Sequence, residues 1–190
     1  MKHLPELHSQ FDLSEARIDR GQLVERRLSD LAGCFEDEDS FAKSLAKGNP
    51  LIYQVSSQEP GNGLGDMHFG IGMLMPGRIG DEYYLTKGHL HESREAAEVY
   101  ICLSGTGAML LEHEQTGDVQ LVPMTSHSFV YVPGYTAHRT VNTGTEPLRY
   151  IGVYPANAGH DYQTIAKRGF RHRVVATTDG PQLLLRESHS

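Results

Sequence analysis

Residues Thr86–Tyr100 read TKGHLHESREAAEVY and set two histidines, His89 and His91, at i and i+2, just ahead of a run of glutamates. On an extended chain, i and i+2 side chains point to the same side. The two imidazoles are therefore expected to enter one volume, as a strand presents two nitrogens to a metal ion. Glu98 opens EVYICL, where Glu98, Tyr100 and Cys102 share one face and Val99, Ile101 and Leu103 the other. A fourth donor lies in YVPGYTAHRTVN. Pro133, Gly134 and Tyr135 predict a turn, and His138 begins the next strand with Thr140 and Asn142 on its side. An isolated HxH is a weak signal, since histidines on polar strands are common. Joined to a strand-borne glutamate and a distant turn histidine it becomes a strong one. Three imidazoles and one carboxylate suit a divalent first-row ion such as Fe2+, Mn2+, Ni2+, Co2+ or Zn2+. Open coordination positions beside the four protein donors mark a working site more than a structural one.

Outward from this stretch, the chain is rich in short β-branched or aromatic runs bounded by Gly, Pro, Asn or Asp: LIYQVSS, MHFGIGMLM, EYYLTKGHLH, EVYICLSG, GAMLLEHE, DVQLVPM, SFVYVPG, HRTVN and LRYIGVYPA. Many short strands with regular turn signals predict an all-β sandwich or barrel, not a βαβ sheet. EDEDSFAKSLAKGNP predicts a short helix with an acidic start and a Gly stop. DYQTIAKRGF predicts a second, with Asp161 as N-cap and Gly169 as stop. The expected organisation is an extended arm over residues 1–35, a barrel domain over 36–180 and a frayed tail over 181–190.

The chain has 190 residues, 38% of them hydrophobic, enough for one domain with a sizeable core. Its formal charge of −7 argues against nucleic acid or an anionic membrane as partner. A phosphorylated small molecule remains compatible, because a site needs only local donors. Cys34 and Cys102 form neither a disulfide framework nor a CxxC zinc site, and a reducing cytoplasm is the simplest setting. The N-terminal residues have no signal-peptide core, and no run of about 18 apolar residues occurs.

The HxH, Glu98, Gly105 and PGYTAHRTVN together resemble the two motifs of the cupin superfamily. Cupins commonly have a shorter gap between HxH and glutamate. Glu95 stands at that spacing, but only Glu98 is correctly placed before Gly105. The longer gap resembles the cupin-type glucose-6-phosphate isomerases. So do RRLSDLAGCF (26–35), YYLTKGHLH (83–91), AEVYICLSGTGAMLL (97–111), YVPGYTAHRTVN (131–142) and YPANAGHDYQTIAKRGF (154–170), which extend the resemblance from about residue 24 to 172. Three departures stand out. His127 occupies a turn position that is usually Gly, and His accepts positive φ better than a β-branched residue. Ile71 and Gly72 stand in a strand that tends to carry hydroxyls in that family, which puts one phosphate contact in doubt. The aromatic expected near Thr136 is absent.

The resemblance implies a single cupin jelly-roll β-barrel that acts as a metal-dependent aldose–ketose isomerase on glucose 6-phosphate and fructose 6-phosphate. It implies one divalent metal per chain, Fe2+ first and Mn2+, Zn2+ or Ni2+ as alternatives, held by His89, His91, Glu98 and His138. Such an ion can act as a Lewis acid that stabilises an enediolate. Glu98 is then the base, with His160 and Tyr100 flanking the sugar. His160, with an ordinary pKa near ~6.5, can open the cyclic form. Thr86, Lys87, Gly88, Tyr154 and Tyr53 are expected around the phosphate, since Gly88 allows close approach to its N–H. A hydride shift between C1 and C2 is the alternative route. No GxGxxG or GxxxxGK[ST] loop is present, in agreement with a reaction that needs no redox cofactor or nucleotide. Two other functions fit the same fold: an iron-dependent oxygenase and a non-catalytic sugar-phosphate-binding cupin. The polar, tyrosine-rich surroundings of KGH and AGHDY favour an anionic polyol. A homodimer is expected, because jelly-roll edges and an N-terminal strand invite pairing.

Overall fold

The computed structural model describes residues 8–187. The strands are β1 (Phe11–Asp12), β2 (Arg17–Ile18), β3 (Gln22–Arg27), β4 (Leu51–Gln58), β5 (Met67–Leu74), β6 (Arg78–Ile79), β7 (Glu82–Tyr83), β8 (Glu98–Ser104), β9 (Thr106–His113), β10 (Val119–Thr125), β11 (Phe129–Val132), β12 (Thr136–Val141), β13 (Leu148–Pro155), β14 (His172–Thr177) and β15 (Gly180–Leu185). Two helices, α1 (Glu38–Lys47) and α2 (Tyr162–Arg168), accompany them. All described pairings are antiparallel. A six-stranded sheet runs β11-β8-β13-β5-β4-β3, and a three-stranded sheet runs β10-β9-β12. The two sheets enclose one main core in which Ile52, Leu74, Leu90, Met109, Leu110, Met124 and Leu148 are fully buried. This is the all-β architecture that the strand pattern predicts, in the cupin-type jelly roll that the resemblance implies.

Both helices stand where the cap signals place them. Asp37 accepts from Ser40 N–H to start α1, and Gly48 N–H donates to Leu45 O to end it. Asp161 accepts from Thr164 N–H at 2.9 Å and from the Thr164 hydroxyl at 2.6 Å, and Gly169 N–H closes α2 onto Ile165 O. His127 has φ 69°, so the imidazole residue does take the turn conformation usually given to Gly.

Three segments behave differently from a reading by local pattern. β3 lies in the stretch read as an arm, yet it pairs with β4 from Gln22↔Ser57 to Arg27↔Leu51 and forms an edge of the large sheet. β15, within the stretch read mostly as a tail, pairs with all of β14, and Leu183 packs against the core; residues 188–190 lie outside the described ones. EYYLTKGHLH is not one continuous strand. Beyond Tyr83 its strand pairing is reduced to isolated bridges, Leu85↔Val141, His89↔His138 and Leu90↔Asp161. Gly88, with φ 72°, interrupts the extended run.

Asp161 also ties α2 to the barrel. Arg94 reaches its carboxylate at 2.6 Å, and the Asp161 N–H donates to Leu90 O at 2.7 Å. Asp161→Ala removes both the cap and this ion pair. The expected loss is about 1–2 kcal/mol, read as a lower midpoint in urea unfolding, with Asp161→Asn recovering the cap's share.

Candidate metal centre and adjoining cavity

Each of the four donors is set in place by the backbone. His89 and His138 face each other across the His89↔His138 bridge, with His89 N–H donating to His138 O at 3.1 Å and His138 N–H to His89 O at 3.0 Å. Their rings stand 4.3 Å apart, and His91 lies 5.5 Å from His89 and 5.3 Å from His138. Glu98, the first residue of β8, enters the same volume. A Cβ on Gly152 of neighbouring β13 would sit 2.7 Å from Glu98 Oε1, so the bare glycine gives the carboxylate its room. All four side chains are buried, and one ligand atom from each lies within 4.8 Å of the others. Glu95, at the shorter spacing, is exposed and meets the Tyr135 hydroxyl at 3.3 Å instead.

The hydrogen bonds show what this cluster can hold. His91 Nδ1 lies 2.9 Å from Ala96 O, and His138 Nδ1 lies 3.1 Å from Thr136 O. A carbonyl only accepts, so in both rings the proton sits on Nδ1 and, in the neutral form, Nε2 carries a lone pair. Both Nε2 atoms point at one carboxylate oxygen, Glu98 Oε2, at 3.3 and 3.2 Å. Lone pairs of three atoms facing one another need a positive centre, either a second ring proton or a cation. His89 Nε2 is buried with no hydrogen-bond partner. An imidazole whose far nitrogen donates to a backbone carbonyl is the usual arrangement of a metal ligand. Metal–nitrogen bonds of about 2.0–2.1 Å place neighbouring donors about 3 Å apart. The residues therefore fit a divalent first-row ion.

Charges follow the same logic. Burial alone would raise the Glu98 pKa, but hydrogen bonds from His138 and His91, in the form that carries the second ring proton on Nε2, outweigh it and bring it down to about 2. Burial and the three neighbouring imidazoles hold His89 well below the ordinary histidine value, in the neutral form that ligates. Burial raises Tyr100 well above the ordinary phenol value, and its hydroxyl is hydrogen-bonded to the Glu98 carboxylate, which works in the same direction.

Beside the donors opens a cavity of about 550 Å3. Every residue expected around the substrate lines it: Thr86, Lys87, Gly88, Tyr53, Tyr154, Tyr100 and His160. The His160 ring is 4.6 Å from His89 and 5.3 Å from Tyr154. Burial lowers the His160 pKa and raises those of Tyr53 and Tyr154 to about 12, so the phenols stay protonated as donors. The Tyr53 hydroxyl is hydrogen-bonded to the Lys87 backbone N–H.

Reading the sequence alone missed several lining residues: Arg26, Thr140, Tyr150 and Tyr162. Tyr162 stacks on His160 at 5.8 Å, and Arg26 sits opposite Tyr53 in the β3–β4 register. Period-two reading of LRYIGVYP puts Tyr150, Gly152 and Tyr154 on one face, and that signal was available. Arg26 had no such signal, because its strand was not recognised. Arg94, which binds His91 O, Glu114 and Asp161 together, is likewise visible only in three dimensions.

The sequence pattern of the family described as glucose-6-phosphate isomerase matches residues 25–189. The chain is 44% identical over 164 residues to the glucose-6-phosphate isomerase of Pyrococcus abyssi (strain GE5 / Orsay), an overlap of 86% of each chain. It is 41% identical over 175 residues to that of Thermococcus litoralis, 92% of each. Among solved structures it resembles an oxalate oxidase, with TM-score 0.50 and 12% identity over 60% of this chain and 56% of the other, a likeness of fold alone.

Gly88 supplies a test of the centre. A Cβ there would fall 2.8 Å from His138 O and 2.7 Å from the Phe170 ring, at a φ that L side chains resist. Gly88→Ala is expected to spread the His89–His138 bridge and weaken divalent-metal binding by at least about tenfold, measured by metal analysis of the purified protein after dialysis.

Proposed function

Because the chain belongs to the glucose-6-phosphate isomerase family, we propose that it is a metal-dependent aldose–ketose isomerase that interconverts glucose 6-phosphate and fructose 6-phosphate. The observation that carries the metal dependence is the convergent donor set: three buried imidazoles and Glu98 with ligand atoms within 4.8 Å of one another, and His89 Nε2 unpartnered. His89, His91, Glu98 and His138 are the residues that hold the ion, with Fe2+ or Mn2+ favoured by mixed nitrogen and oxygen donors. A bound divalent ion supplies Lewis-acid polarisation of the sugar oxygens at C1 and C2.

This chain's own residues do the rest. Thr86, the Gly88 backbone, the Lys87 ammonium, Tyr53 and Tyr154 bind the phosphate end and fix the sugar in the cavity, with the Lys87 N–H holding the Tyr53 hydroxyl. The Thr86 hydroxyl oxygen already accepts from Thr140 N–H at 3.1 Å, which leaves its own proton for the ligand. His160, neutral by burial, moves a proton between the ring oxygen and O1 to open the pyranose. Glu98 takes the C2 hydrogen of the open aldose as a proton and returns it to C1, while a hydroxyl proton passes from O2 to O1. That sequence goes through an enediolate and is balanced without a redox partner. Tyr100 donates to Glu98 and steadies the carboxylate. Two free thiols, Cys34 and Cys102, agree with a reducing cytoplasm. Among the described residues, no helix is long and apolar enough to cross a membrane. Phe129 and Tyr131, 71% and 63% exposed on edge strand β11, support a homodimer.

Purified protein is expected to lose fructose 6-phosphate isomerisation in EDTA and to regain it with Fe2+ or Mn2+. Full activity after rigorous chelation sinks the metal-dependent reading. Glu98→Gln is expected to lower kcat by about 10²–10⁴-fold in metal-reloaded protein, with a much smaller change in KM. His138→Ala should remove most of the metal as well as the activity.

A further inference from the structure

One lining residue has no counterpart among the contacts described above. Tyr150, on β13, is 5% exposed, and its ring lies against the cavity. It reaches that position because its register partner on β5 is Gly72. A Cβ at Gly72 would meet Tyr150 Cζ at 2.5 Å, Cε2 at 2.6 Å and the hydroxyl oxygen at 2.8 Å. The phenol thus occupies the space in which any other residue at 72 would place its side chain. On its far side the ring packs 5.5 Å from Tyr100.

The hydroxyl has directed surroundings. The Tyr150 hydroxyl is paired with the Thr140 hydroxyl. Thr140 is fully buried, and its backbone is bonded twice to Thr86: Thr140 N–H donates to Thr86 Oγ1 at 3.1 Å, and Thr86 N–H donates to Thr140 O at 2.9 Å. A pair of hydroxyls uses one proton between its two oxygens and keeps the other, which the phenol, lining the cavity, can present to a ligand. Tyr53 and Thr86 lie at this end of the cavity, and the Lys87 N–H is bonded to Tyr53. A buried phenol among hydroxyls and a backbone N–H, with Lys87 and Arg26 also lining the cavity, matches the chemistry of a phosphate oxygen.

We propose that Tyr150 is a substrate-binding residue that donates its phenol proton to the phosphate of the sugar phosphate, and that Gly72 is the residue that makes room for it. The proposal rests on the sugar-phosphate reading of the cavity. It makes Gly72 and Tyr150 a coupled pair. Removing the hydroxyl, or pushing the ring aside with a methyl group, then costs the same contact.

The experiment is a double-mutant cycle of Tyr150→Phe, Gly72→Ala and the pair, in metal-loaded protein. Inorganic phosphate is titrated calorimetrically, and KM and kcat are measured for fructose 6-phosphate. Tyr150→Phe is expected to raise the phosphate Kd and the KM about tenfold, with kcat within about twofold. Gly72→Ala is expected to weaken phosphate binding similarly alone, but by less than about twofold in the Tyr150→Phe background. A phosphate Kd that Tyr150→Phe leaves unchanged overturns the proposal, as does a Gly72→Ala effect of equal size in both backgrounds. Since phosphate binding is read without turnover, a wild-type protein that binds phosphate with this coupling yet does not isomerise overturns the proposed activity and leaves the Tyr150 contact standing.

Discussion

The centre is governed by one electrostatic constraint. Two imidazoles donate their Nδ1–H groups to the backbone carbonyls of Ala96 and Thr136, and in the neutral form so turn bare Nε2 atoms toward the same carboxylate oxygen. That arrangement is repulsive unless a positive charge stands among the donors. Burial intensifies it, because the carboxylate and rings are almost entirely removed from water. The carbonyls belong to the loop before β8 and to the first residue of β12, so the backbone that leads into these strands also fixes the protonation pattern of the centre. What looks like a cluster of side chains is in this sense a property of the backbone.

The rim is correspondingly well fastened. Gly88 lets the chain approach His138 closely enough for a two-way backbone bridge, and Asp161 with Leu90 repeats the device one step on. Arg94 gathers His91 O, Glu114 and Asp161 into one junction. These contacts are partly exposed, so each ion pair contributes little by itself. Together they hold the HxH segment against α2 although it is not part of a regular strand.

The donor set was legible because it rests on short-range rules. Period two sends His89 and His91 to one side, and the position of Glu98 at the head of a hydrophobic strand decides between it and Glu95. Caps made both helices legible: Asp161 and Gly169 act within one turn of where they stand. The irregular path through Gly88, the Arg94 junction and the sheet edge contributed by β3 were not, since each depends on partners 20 or more positions away in the chain. Arg26 pairs with Tyr53 in register, and nothing in ERRLSD announces Tyr53. Tyr150 falls between these cases. Its face is given by alternation, but its importance depends on the missing side chain of Gly72 across the sheet.

A carboxylate that binds a metal is a weakened base, and the geometry bears on how Glu98 can combine the two roles proposed for it. Its two oxygens have different surroundings. Oε2 is the atom both imidazoles face, while Oε1 is directed over Gly152, where no side chain stands. Gly152 belongs to the same face of β13 as Tyr150 and Tyr154, the wall along which the sugar is proposed to lie. One oxygen can therefore serve the ion while the other meets the carbon-bound hydrogen, with no need for the carboxylate to detach. On this view the small residues facing the cavity from β5 and β13, Gly72 and Gly152, have parallel roles. One yields its space to a phenol at the proposed phosphate end, and the other yields it to the Glu98 oxygen proposed as the base.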